Sequence, residues 1–259
     1  MKMEVQSIQK NSYQVLNRDA IKYFAMFTML LNHIAHVFLT SGTPLCLVLE
    51  DIGYFTAPVM CFFLVEGYQH TRSKVKYGGR LFFFAVLSQG PYYLAFHFGN
   101  LNMFFTLFCC FLILVVLERV ESLWLQKILC ILLLLVTVIS DWAVIAPLLT
   151  ILLARNWEDK RRMWVSYAET TLLCDMLNLQ STMMQSHMAG PSVGLSVQAV
   201  CGALCSGLGI MAAAAAVLIF YNGERAKKGQ TFSKWFFYLF YPGHLMLLYL
   251  IKIGLHNIK

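Results

Sequence analysis

Uncharged apolar stretches constrain this chain more than any other feature. LFCCFLILVVL (Leu107–Leu117) and ILCILLLLV (Ile128–Val136) contain no charged residue, and runs of this kind belong inside a bilayer or a fully buried core. The composition decides between these settings. The chain is 59% hydrophobic and only 13% charged, with a mean hydropathy of +0.64, against about 25% charged residues in ordinary soluble domains. A soluble globular protein is excluded. Twenty Phe, twelve Tyr and five Trp supply the aromatics of an interfacial belt. At roughly 20 residues per crossing, a membrane bundle consumes the whole length and leaves no room for a second, water-soluble domain.

Apolar stretches bounded by charge or turn residues predict nine spans, at 21–39, 52–69, 81–98, 102–117, 123–140, 142–154, 163–179, 198–221 and 235–254. The short pair meeting at Asp141 and Trp142 leaves ten helices, or a re-entrant or broken element, open. With the N-terminus cytoplasmic, the inner segments 1–22, 70–80, 118–127, 155–162 and 222–234 hold 18 of the 20 Lys and Arg. That bias sets orientation and absorbs the net charge of +7 as topology and lipid attraction, with no nucleic-acid partner implied. Residues 1–20 read as a polar cytoplasmic tail without the apolar core of a signal peptide, and 21–259 as a single transmembrane domain. The segment 180–197, with Gly190, Pro191 and Gly194, reads as the longest outer loop and a place for a lid or a partner contact. Eight Cys without a CxxC pair suggest neither a disulfide framework nor a metal site. Small residues four apart, such as Ala203 with Gly207 and Cys205 with Gly209, predict close helix packing.

Polar residues at membrane depth are costly and need a partner or a function. Those in the predicted spans are His33 and His36 on one face of the first, Glu66 in the second, Ser88, Gln89, Tyr92 and His97 in the third, Glu169 and Asp175 in the seventh, and Tyr241 and His244 in the last. They suggest a polar chamber serving acid-base chemistry, ion movement or helix pairing. Lys22 precedes His33 by eleven positions, which on a helix is about 16 Å. A ligand that is anionic at one end and slender at the other, as coenzyme A is, would span that distance.

The segments Lys22–His36, IGYFTAPVMCFFLVEGYQHTRSKVKYGGRLFFFAVLSQGPYYLAF (Ile52–Phe96), NMFFTLF (Asn102–Phe108) and FYLFYPGHLMLLYL (Phe237–Leu250) resemble the TraX family. That family's type activity is acetylation of the pilin N-terminus in conjugation systems. It is similar to the broader membrane acyltransferases that carry a Lys or Arg, ten residues and a His. The resemblance implies acetyl transfer from acetyl-CoA, as co-substrate and without a metal, to a pilin-like or other extracytoplasmic acceptor. It casts His33 as general base, Lys22, Arg72 and Arg80 as contacts to the CoA phosphates, and Glu66 as a support for an imidazole or for an acceptor amine. Tyr241 and His244 match the terminal YPxH motif, and Tyr241, Ser88 or His244 would donate to the oxyanion. Asn32, His36, Ser88, Gln89 and Asp141 fall on the acceptor side or the pocket wall, His36 and His97 with structural or interfacial roles. Two positions depart from the family pattern: Asn32 replaces an Asp and Gln89 a Glu. A proton-coupled transporter and a non-catalytic assembly scaffold remain open on the residues alone, although no inverted repeat favours the first.

Overall fold

The computed structural model describes residues 13–97, 99–189 and 193–257. Among them are ten α-helices and no β-strand. The helices are α1 (Arg18–Phe38), α2 (Pro44–Gly53), α3 (Thr56–His70), α4 (Lys74–Phe96), α5 (Met103–Arg119), α6 (Leu123–Val136), α7 (Ile145–Arg155), α8 (Lys160–Ala189), α9 (Val193–Ala215) and α10 (Gln230–Asn257). Their starts are written locally. Asn17, Ser73, Asn102 and Ser122 each place a side-chain oxygen on a backbone N–H of the turn they precede, capping α1, α4, α5 and α6. Pro44 opens α2 at a position where its missing N–H costs nothing.

Contacts between helices give their relative directions. Thr28 bonds Thr56 at 2.9 Å while Arg18 reaches the Phe63 carbonyl at 3.5 Å, so α3 runs opposite to α1. Asn102 meets Ala85 and Gln89 at one end of α4, while Phe111 packs on Tyr77 toward the other, so α5 again reverses. Alternation continues through α6, α7, α8 and α9, and brings α10 back parallel to α1. Tyr23 bonds Ser233 at one end of that pair and His33 bonds His244 at the other. The basic connections gather at one end of the bundle. There Leu16 pairs with Tyr221, and the Ala226 N–H donates to Asp19 at 2.8 Å, strapping the 221–226 loop onto the start of α1.

Several expectations change. A short helix, α2, precedes the second predicted span, because Thr43 and Pro44 restart the helix after the turn at Gly42. The 123–154 region is two helices separated by a 3₁₀ turn (Thr137–Ile139) and a tight turn in which Trp142 and Val144 take positive φ of 57° and 62°. The expected outer loop at 180–197 is largely helix, since α8 continues to Ala189 and α9 begins at Val193. Gly190 and Pro191, like residues 1–12 of the expected tail, lie outside the described residues. Pro44–His70, through the α2 to α3 junction, and Gln230–Leu255 are each long and apolar enough to cross a bilayer, whereas Leu123–Ile139, Ile145–Arg155 and Leu204–Phe220 are apolar but shorter. Large apolar side chains face outward on other helices too, among them Phe24 and Phe27 on α1, Phe83 and Val86 on α4, and Leu132 and Leu135 on α6. Such a surface requires cover.

The small-residue stripe of α9 does bring helices close. A Cβ on Gly207 would lie 2.5 Å from the Asp175 carboxylate, and one on Gly209 would lie 2.8 Å from Tyr54 Cβ and 2.9 Å from the Asp51 carbonyl. Asp175 accepts from Ser206 across the same contact at 3.3 Å, so it is a helix-pairing group. Glu169 is exposed. Cys46, Cys61, Cys109, Cys110, Cys130 and Cys174 are buried thiols outside any disulfide.

Candidate functional site

Two rows of side chains on the parallel helices α1 and α10 define the site. On α1, Arg18, Lys22, Met26, Met29 and His33 recur at intervals of three and four and therefore share one face. On α10, Gln230, Lys234, Phe237, Tyr241 and His244 do the same. Both rows begin at the basic end of the bundle and finish at a pair of imidazoles in contact. Between them lies a cavity of about 330 Å³. Its mouth carries Arg18, Lys22, Arg72, Arg80, Arg225 and Lys234, with Asp19 in the same wall and Glu66 behind Arg18, and its shaft is walled by Met26, Met29, Met60, Met103, Phe104 and Leu107, with Tyr241 reached on the α10 side.

The cations are held in place. Lys22 Nζ sits between the rings of Phe63 and Phe237, 5.6 and 5.0 Å from their centroids. Arg18 pairs with Glu66 at 3.4 Å, both side chains 13% exposed. Glu66 also accepts from the Tyr221 hydroxyl at 2.7 Å, so this carboxylate braces the mouth. It sits beside Arg18, fifteen positions from His33 on α1, about 22 Å along the helix. Arg80 reaches over the Tyr77 ring at 5.7 Å, and its buried Nε has no hydrogen-bond partner in the structure. An unpartnered guanidinium nitrogen within a ring of cations fits an anionic, phosphate-bearing ligand.

His33 and His244 lie beyond Met29 and Tyr241, each 6% exposed. His33 Nδ1 is 2.7 Å from His244 Nε2, and His244 Nδ1 is 2.7 Å from the Phe240 carbonyl. Tyr241 stands edge-on to His33 with centroids 6.1 Å apart. Its hydroxyl oxygen accepts from the Met103 N–H at 3.4 Å, at the positive end of α5. Asp141, in the turn before α7, is within electrostatic reach of both Tyr92 and Tyr241. Burial pushes its carboxyl up to about 6, against a lowering by the Trp142 N–H. Asp141 therefore lies near Tyr92 and Tyr241, and its N–H donates to the Leu101 carbonyl at 2.8 Å, at the end of the bundle where α5 starts.

The structure brings Lys22, Arg72, Arg80 and Tyr241 together in one cavity wall and joins His33 to His244 just past it. His36 instead pairs with Glu50 at 3.4 Å. Ser88 is fully buried with no hydrogen-bond partner for its hydroxyl, and is absent from the cavity wall. The amides of Asn32 and Gln89 are both engaged with the backbone. Asn32 Nδ2 donates to the Glu50 carbonyl at 3.1 Å, and Gln89 Nε2 donates to the Asn100 carbonyl at 2.9 Å while its Oε1 accepts from Asn102. An ionised Asp or Glu has no proton to donate to those carbonyls. Reading the sequence for site residues missed Arg18, Arg225 and Lys234. Arg18 was findable, because it stands one turn before Lys22 on the same face; Arg225 reaches the mouth only through the strapped loop.

A helical membrane protein with a cation-ringed cavity and, just past its wall, a pair of imidazoles in contact is the class that this fold and site define. Residues 17–252 match the TraX protein family. The chain belongs to that family. It is also 32% identical over 249 residues to the "probable fimbrial assembly protein FimC, serogroup H1" of Dichelobacter nodosus, covering 91% of this chain and 95% of that protein. No solved structure matches the chain.

Proposed function

We propose that the chain is a multi-pass membrane acetyltransferase that moves acetyl from cytoplasmic acetyl-CoA to an acceptor amine, or hydroxyl, at or across the membrane, with the N-terminus of a pilin-like peptide as the leading acceptor. The observation that carries this reading is the α1 face that runs from the six cations of the cavity mouth, past Met26 and Met29 in its wall, to the His33–His244 pair one turn beyond it. The fimbrial assembly name of the Dichelobacter nodosus protein supports a pilus-related acceptor. The alternating helix directions, with α2 and α3 sharing one crossing, support nine spans. The basic end is then cytoplasmic by the positive-inside bias, and the outward apolar side chains face lipid.

In this reading Lys22, Arg72 and Arg80, joined by Arg18, Arg225 and Lys234, hold the nucleotide phosphates, and the methionine-lined shaft takes the slender thioester arm. The acceptor nitrogen attacks the thioester carbonyl carbon while His33 takes one proton from it. The Tyr241 O–H, polarised by the Met103 N–H on its oxygen, donates to the developing oxyanion. The carbon–sulfur bond then breaks, the thiolate leaves with the proton from His33, and the acceptor keeps the acetyl group. Asp141 attracts the acceptor amine from the outer side, and Glu66 supports the mouth.

The test is incubation of purified protein with labelled acetyl-CoA and host membranes, following the label by mass, with His33→Ala in parallel. Labelled product absent from the variant is the expected result. Full transfer by folded His33→Ala would remove the assigned base. No transfer by wild-type protein that binds acetyl-CoA, with acceptor present, would favour a non-catalytic assembly role.

A further inference from the structure

The hydrogen bonds of the histidine pair determine where its protons lie. His244 Nδ1 is 2.7 Å from the Phe240 carbonyl oxygen, one turn back on the same helix. A carbonyl only accepts, so this nitrogen carries the hydrogen. A neutral imidazole has a single N–H, which leaves a lone pair on His244 Nε2. That lone pair faces His33 Nδ1 at 2.7 Å, so His33 must donate from Nδ1 and hold its own lone pair on Nε2. Neutral rings are the consistent choice, because no carboxylate pairs with either ring among the described residues. The neighbouring His36 takes Glu50 instead, and an unpaired buried imidazolium is expensive.

We infer that His244 is a positioning residue that locks His33 in the tautomer with its proton on Nδ1 and its lone pair on Nε2. An unconstrained imidazole favours the opposite arrangement, so without His244 the lone pair would swing to the wrong nitrogen. The chemical consequence rests on the acetyl-transfer reading above. As His33 Nε2 takes the acceptor's proton, the ring becomes cationic and its Nδ1–H bond to His244 becomes charge-assisted. When that proton leaves with the thiolate, both rings return to the starting state. The arrangement also removes His244 from the oxyanion donors, since both of its nitrogens are engaged. Tyr241 makes the complementary pattern, with an oxygen that accepts from Met103 and a proton free to donate.

The test is nitrogen NMR of full-length protein labelled with ¹⁵N-histidine in detergent, the His33 signals being assigned by their loss in His33→Ala. The expected spectrum shows a pyrrole-type Nδ1 and a pyridine-type Nε2 on His33. In His244→Leu the Nε2–H form should appear, and in His244→Gln, whose amide oxygen can accept from Nδ1, the original form should persist. Transfer should fall about tenfold or more in His244→Leu, with the KM for acetyl-CoA little changed, and should recover in part in His244→Gln. A wild-type His33 protonated on Nε2 overturns the inference, as does a His33 tautomer that His244→Leu leaves unchanged, or a loss of transfer in His244→Gln as large as in His244→Leu. If His244→Leu does not fold, the wild-type spectrum and the Gln variant decide. Absence of transfer by the wild-type protein would overturn the acetyl-transfer reading alone, because the tautomer is read without turnover.

Discussion

Replacing Asn102 by Ala should destabilise the bundle by about 3 kcal/mol. The magnitude follows from the bonds that its fully buried side chain makes. Oδ1 accepts from the Phe104 N–H at 2.9 Å and caps α5, while Nδ2 donates to the Ala85 carbonyl at 2.7 Å and to Gln89 Oε1 at 2.8 Å. Loss of an N-cap costs about 1 kcal/mol, and each of the other two bonds contributes roughly 1 kcal/mol net. Both orphaned acceptors have a second donor to fall back on, Ala85 within its helix and Gln89 from the Asn102 N–H at 3.0 Å, so no larger desolvation penalty is added. For a chain of this size about 3 kcal/mol corresponds to roughly 6–12 °C in Tm. Thermal unfolding in detergent measures it, with Asn102→Ser as an intermediate case because Ser retains the cap. The first turn of α5 also carries the Met103 N–H onto Tyr241, so transfer should weaken in Asn102→Ala below its Tm. A melting temperature within about 2 °C of wild type, or an Asn102→Ser variant as unstable as Asn102→Ala, would refute the bond-by-bond reasoning.

Lys22→Met preserves the apolar stem between Phe63 and Phe237 and removes the charge; it should weaken acetyl-CoA binding about 10- to 150-fold, the worth of one charge-assisted bond. Affinity for acetylpantetheine, which lacks the nucleotide phosphates, should be unchanged, and calorimetry with both ligands checks this. Gly209→Ala should destabilise by up to about 2 kcal/mol, because overpacking against Tyr54 and the Asp51 carbonyl exceeds the helix-propensity gain. Gly79→Ala, within α4 and with nothing within 4 Å of the added carbon, should instead stabilise by about 0.5–1 kcal/mol; paired melts separate the two. Asp141, with its carboxyl raised by burial to about 6, contributes stability that is present below its ordinary value of 3.8 and lost as pH rises through about 6. Wild type should therefore lose up to about 3 kcal/mol relative to Asp141→Asn between pH 4 and pH 8, and a constant difference across that range would contradict the assigned burial.

The membrane character, the helical class, the family and the main polar residues were legible in the amino-acid order, because charge, apolar run length and helical spacing are local properties. The row from Lys22 to His33 needed only the pitch of a helix. The close approach at Gly207 and Gly209 followed from small residues spaced four apart, whereas Ser206 as the partner of Asp175 came only from the packing of α8 on α9. What the order of residues left open depends on which helices become neighbours. Only the parallel packing of α1 against α10 brings His244 to His33, and only the strapped 221–226 loop carries Arg225 over the mouth. Glu66 seemed available to an imidazole until α3 set it beside Arg18 and Tyr221 at the opposite end of the site. The amides of Asn32 and Gln89 looked like lost acids, yet each donates to a backbone carbonyl that is remote in sequence or held by a turn. Partners so far apart along the chain meet through tertiary packing, and no local spacing rule encodes such a meeting.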